Sequence, residues 1–135
     1  MNRDPRLLAE AAFFHVMVKI GLRIVRYSRL TYALDCAPAA RRAHVSVASI
    51  TWAAGAAARR IGTATCLGQA LVVHTMLRRH GHAAVLRIGV RRDAAASFEA
   101  HAWVEIKGIP LNDSADVEQR FMPFKRSAMS AEGKP

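Results

Sequence analysis

The chain has 135 residues, of which 52% are apolar, enough for one domain with its own core. Twenty Lys and Arg against ten Asp and Glu give a formal charge of +10, which suits an acidic peptide, a nucleic acid or an anionic membrane without choosing among them. The composition excludes collagen-like, low-complexity and disulfide-scaffold chains, and no repeat of solenoid period is present.

The opening MNRDPRLLAE places acids and a proline ahead of the first apolar run, which makes a poor secretory signal. That run, Ala11 to Val18, ends at Lys19 and falls short of the roughly 20 residues that a bilayer requires. Cys36 and Cys66 lie far apart and read as reduced thiols. The expectation is a cytoplasmic protein without stable membrane insertion.

Pro5 suits a first helical turn, with Asp4 as its cap. Leu7, Leu8, Ala11, Phe14, His15, Val18, Leu22 and Val25 recur at helical spacing, and the helix is expected to span 6–29. Phe13, Val16, Met17, Ile20 and Ile24 make its other face apolar too, as in a helix buried on two sides or docked on a partner. Lys19, Arg23 and Arg26 form a basic stripe, either a solvated face or a binding surface for a partner or peptide. Residues 1–60 hold ten bases and only three acids, so the basic excess is mainly theirs.

Asp35 to Pro38 breaks the chain, and 39–60 read as an alanine-rich helix ending in Arg59-Arg60. After a second break at Ile61-Gly62-Thr63, a third helix starts at Thr65 or Cys66. It carries Arg78, Arg79 and His80 in its last turn and ends at Gly81. Ala83 to Val90 then read as a buried strand, and Arg91 to Ser97 as a polar loop. Phe98 to Glu105 alternate, with Glu99, His101, Trp103 and Glu105 on one face. Gly108 favours a three-residue loop, Ile106 to Gly108, with a return strand over Ile109 to Asp113. Residues beyond Ser127 read as a tail. Helices followed by antiparallel strands make the fold class α+β.

In that register Trp103 faces Leu111 and His101 faces Asp113, with Cβ atoms about 5 Å apart. A two-residue loop would instead pair Ala102 with Asp113. Asp116 is a weaker candidate beyond the strand end. A carboxylate beside one imidazole nitrogen fixes the tautomer and leaves the other as proton acceptor. Cys66 opens a helix, where the dipole favours a thiolate and free backbone N–H groups, its own included, can hold an oxyanion. Cys66, His101 and Asp113 thus supply nucleophile, base and orienter. Taken singly, a cysteine at a helix start is more often a buried hydrophobe, and a strand His–Asp pair more often a surface contact.

His74 lies about 12 Å along the helix from Cys66, too far to serve as its base. His80 and His82 flank a helix-ending glycine and read as solvated, His15 and His44 as core-edge residues, Trp52 as core and Cys36 as inert. Trp103 reads as a wall beside His101. No spacing suits a zinc site, so no metal or cofactor is expected.

CLGQALVVHTMLRRHGHAAVLRIGV (66–90) followed by FEAHAWVEIKG (98–108) resembles the bacterial transglutaminase-like cysteine peptidases of lasso-peptide maturation. In particular it resembles the stand-alone protease half of the split leader peptidase. The resemblance covers about 61–116 and rests on a cysteine opening a helix that ends LRR-x-G, a strand ending Gly-Val, and an AHAWVE strand with an aspartate after a glycine turn. It implies a papain-like fold, a nucleophile helix packed on a small antiparallel sheet, and it places the family's catalytic residues on Cys66, His101 and Asp113. The loop Arg91 to Ser97 is longer than the family needs. The implied substrate is a ribosomally made precursor whose leader is removed, with a separate leader-recognition protein and an ATP-dependent cyclase as partners.

The expected organisation is a helical part (1–60), a catalytic core (61–126) and a tail (127–135) in one compact domain. The expected mechanism is amide hydrolysis through a thioester, with Gln69 as a possible second oxyanion donor and Trp103, Lys19, Arg23 and Arg26 as substrate or partner contacts. Competing readings are an acyltransferase with the same triad, a basic non-catalytic adaptor for peptide or nucleic acid, and membrane association through 6–29. No aromatic-interleaved basic motif supports a nucleic-acid partner.

Overall fold

The computed structural model describes residues 3–40, 45–62, 65–92, 97–111 and 121–123. Helix α1, Pro5–Ile24, starts as expected: the Asp4 carboxylate accepts from the Arg6 N–H at 2.8 Å, and Pro5 needs no acceptor of its own. It buries Leu7, Ala11, Phe14, His15, Val18 and Gly21. It does not run on to residue 29. Val25 and Arg26 are extended, and a separate helix α2 covers Tyr27–Asp35. Close packing accounts for the break, because a methyl group at Gly21 would lie 2.6 Å from Leu30 Cδ1. The turn at 25–26 lets Leu30 fold back onto that gap, which gains more burial than continuing outward.

Helix α3, Val47–Ile61, is capped by Ser46, whose Oγ accepts from the Ser49 N–H at 3.1 Å. It begins later than the expected 39–60. Ala53, Ala54 and Ala57 are buried, and small side chains let α3 approach both α1 and α4. Helix α4, Cys66–Arg79, begins where the sequence placed it. Strands β1, Ala84–Arg92, and β2, Phe98–Ile106, pair antiparallel from Ala84 against Ile106 to Arg92 against Phe98. Both outrun their expected ends. Short strands β3, Ile109–Pro110, and β4, Met122–Pro123, complete the sheet order β3-β2-β1-β4. The sequence reading had not marked β4.

Helix α4 covers one sheet face. Its Ala70, Leu71, Val72, Val73, Met76 and Leu77 share a continuous core with Ala84, Leu86, Ala102 and Val104 of the sheet and with α1, α2 and α3. The α+β expectation is met: helices pack on one small antiparallel sheet.

The β2–β3 hairpin corrects the expected register. Its loop is two residues, Lys107 and Gly108, at φ 51° and 77°. Paired positive φ values follow the right-handed twist of the strands. Ile106 stays in the strand because its side chain packs against the core. Glu105 therefore faces Pro110, and the Leu111 N–H donates to the Val104 carbonyl at 2.9 Å. The three-residue loop from which the pairing of His101 with Asp113 was read is therefore replaced by a two-residue one. Asp113, Asp116 and His44 lie outside the described residues.

Two histidines expected to be solvated are not. The His80 side chain is buried on the Glu10 carboxylate at 3.1 Å, beside Arg79, which also pairs with Glu10. His82 Nε2 donates to the Val45 carbonyl at 2.7 Å. Both tie the C-terminal end of α4 to distant chain, a role that spacing does not reveal. His15 is fully buried rather than at the core edge, its Nε2 bonded to the Ala54 carbonyl at 2.8 Å. Trp52 is only partly buried against the core.

Candidate active site

Cys66 is the first residue of α4. The Thr65 hydroxyl accepts from the Gly68 N–H at 3.1 Å, and the Thr65 carbonyl accepts from Gln69 at 3.2 Å. The N–H groups of Cys66 and Leu67 are left without an intrahelical acceptor, as at any helix start. They sit at the positive end of the helix dipole, beside a half-buried thiol. Gln69 and Val73 follow Cys66 along one side of α4.

The turn at His80-Gly81 sends the chain back under α4 into β1, and α4 packs on both β1 and β2. Thirteen helical steps carry Cys66 about 20 Å from Arg79. The same length of strand is about six residues from Ala84. Cys66 packs at the edge of the core that Ile88 of β1 also joins, one residue from the pair that Gly89 makes with His101.

His101 lies at this end but on the opposite sheet face. Its neighbour Ala102 joins the core beneath α4, whereas the imidazole stacks on Trp103 (6.1 Å between centroids, 24° between planes) and on Phe121 (4.8 Å, 29°). Phe121 arrives from the segment leading into β4. Gly89, across the ladder, has no side chain to compete for the space beside the ring. Among the described residues no hydrogen bond joins the Cys66 thiol to His101.

The His101 face holds a polar network. Glu105, 3% exposed, accepts from the Trp103 indole N–H at 2.8 Å and from Arg87 Nε of β1 at 3.2 Å. Trp103 is fully buried, so it is a wall beside the histidine, as expected, but not a surface open to substrate. Nearer the edge, Arg91 pairs with Glu99 at 2.8 Å, and its guanidinium lies 4.9 Å from the Phe121 ring centre.

Cavities flank the first half of α4. One, of about 310 Å³, is walled by Val18, Lys19, Leu22 and Arg23 of α1 and by Gly62, Thr65 and Gly68 at the start of α4. Lys19 and Arg23 thus stand beside the Cys66 turn. Arg26 instead precedes α2 and does not line this groove. Another, of about 240 Å³, is lined by His15, Thr51 and Gln69 together with Val73 and Leu111. Burial holds His15 below the ordinary histidine range, partly offset by its bond to Ala54. Among the described residues no group of three or more His, Cys, Asp or Glu is arranged to hold a metal, and no helix is long and apolar enough to cross a membrane.

The sequence profile of the transglutaminase-like superfamily matches residues 12–126. The chain belongs to the transglutaminase-like superfamily. That superfamily commonly includes cysteine peptidases and acyltransferases. No curated protein and no solved structure gives a significant match. The transglutaminase-like match begins inside α1, so it takes in helices that the motif resemblance over 61–116 left out.

Sequence reasoning assigned Glu105 to the His101 face but gave it no task, and it missed Arg87 and Phe121. The alternation H-x-W-x-E was the available signal for Glu105. Phe121 had none, because its approach depends on a strand pairing between distant segments.

Proposed function

We propose that this transglutaminase-like protein is a cysteine peptidase that removes the leader from a ribosomally made lasso-peptide precursor. The observation that carries the reading is Cys66 at the open start of α4 within a transglutaminase-like chain. In this reading the Cys66 thiolate attacks the carbonyl at the leader–core junction. The backbone N–H groups of Cys66 and Leu67 stabilise the oxyanion. His101 takes the thiol proton and returns it to the leaving amine, and Asp113 orients the imidazole. Water then resolves the thioester.

The groove of Lys19 and Arg23 supports an extended, acidic or apolar peptide beside the start of α4. Phe13, Val16, Met17, Ile20 and Ile24 are between 44% and 74% exposed along α1, an apolar face suited to the separate leader-recognition protein.

The test is mass spectrometry of the precursor peptide incubated with this protein and the recognition protein. Leader and core should appear with wild type and not with Cys66→Ala. A core captured as an adduct of an added amine would make the protein an acyltransferase instead. An uncleaved precursor that still binds wild type would make it a non-catalytic adaptor.

A further inference from the structure

The buried carboxylate of Glu105 has no part in the proposed chemistry, yet it is costly to keep there. A carboxylate 3% exposed on a small sheet is retained only with close partners. Its two oxygens are committed separately, Oε1 to the Trp103 indole N–H at 2.8 Å and Oε2 to Arg87 Nε at 3.2 Å. The indole held in this way lies 24° from parallel to the His101 imidazole. Phe121 also stacks on the imidazole, at 29°.

Among the described residues, Arg91 and Glu99 are the other charged groups on this face, and they pair with each other toward the exposed end of the strands. The row His101, Trp103, Glu105 runs along one strand face, from the half-buried middle of β2 to its buried C-terminal end. Each member is fixed by the next, and Arg87 on β1 anchors the last.

We infer that Glu105 is a positioning residue for His101, acting through the Trp103 indole that it holds. The inference rests on the reading of His101 as the base for Cys66. Glu105 fixes the rotation of the indole about its side-chain bonds, and the indole face sets the plane of the imidazole. No bond is made or broken by Glu105 or Trp103.

The experiment is peptide-resolved alkylation by iodoacetamide, with exposed Cys36 as the internal reference. The rate of Cys66 relative to Cys36 is followed from pH 5.5 to 9 in wild type, Glu105→Gln, Trp103→Phe, the double variant and His101→Ala. Circular dichroism sets an assay temperature at which each variant is folded. Glutamine still accepts from the indole but gives up the charge that Arg87 anchors. Phenylalanine keeps an aromatic face but lets go of Glu105.

Each single variant should slow Cys66 at neutral pH on the order of tenfold and move its pH profile upward, the scale expected when a reacting group loses its alignment. The double variant should be no slower than the worse single one, because both remove one chain of contacts. If His101→Ala slows Cys66 while Glu105→Gln keeps the wild-type rate and profile, the positioning role is refuted and the base assignment stands. Effects that multiply in the double variant also refute it. If His101→Ala changes nothing, the base assignment fails and takes the positioning role with it.

Discussion

His74 should make this protein acid-sensitive, and replacing it should remove much of that sensitivity. The imidazole is fully buried in α4, and neither ring nitrogen has a hydrogen-bond partner. Burial, helped by the charge of Arg78, lowers its pKa from 6.5 to about 4; the Ala84 backbone offsets part of this without completing a hydrogen bond. Between those two values the unfolded chain binds a proton that the folded one refuses, so stability falls as pH falls through this window. From pH 7.5 to 5 the loss is about 2 kcal/mol, and it reaches about 3 kcal/mol once pH has fallen below the folded value. His74→Leu removes the titration and two unpaired polar atoms while keeping an apolar side chain of similar bulk. It should raise stability at pH 7.5 by about 1 kcal/mol or more and cut the drop between pH 7.5 and 5 by about 2 kcal/mol. His15, lowered in the same direction, keeps a smaller slope in the variant. Urea denaturation followed by circular dichroism at the two pH values measures both quantities. A variant less stable than wild type at pH 7.5, with an unchanged drop to pH 5, would refute the account of His74 as a buried, unpaired imidazole.

Three further outcomes follow from the same packing. Lys107→Asn should stabilise the hairpin by about 0.5 kcal/mol, because asparagine tolerates the left-handed φ of 51° better than lysine does; a destabilised variant in the same denaturation assay would argue for the three-residue loop. Glu10→Gln should cost about 1–3 kcal/mol, since it removes the charge shared by Arg79 and the buried His80, and an unchanged denaturation midpoint would show that the cluster is ornamental. If the proposed function holds, Cys66→Ala should abolish leader cleavage while leaving peptide binding in place, as judged by mass spectrometry and fluorescence anisotropy.

The sequence by itself determined the parts whose causes are local. Asp4 and Thr65 announce helix starts because their oxygens satisfy open N–H groups within a turn. The change from helical spacing to alternation after Gly81 announces the sheet, and the alternation of Phe98 to Glu105 sets His101, Trp103 and Glu105 on one face. Cys66 at a helix start was legible for the same reason. The rest was decided by contacts between segments far apart in the chain. The break after Ile24 depends on Leu30 closing over Gly21, and the burial of His80 depends on Glu10, 70 residues away. The hairpin register turned on whether Ile106 belonged to the loop or to the strand. Core packing kept it in the strand, which makes the loop two residues rather than three. The setting of His101 was likewise beyond local reading, because Phe121 reaches it through the pairing of β4 with β1. Capping and periodicity act over a few residues, whereas burial is settled only when every layer of the fold is in place.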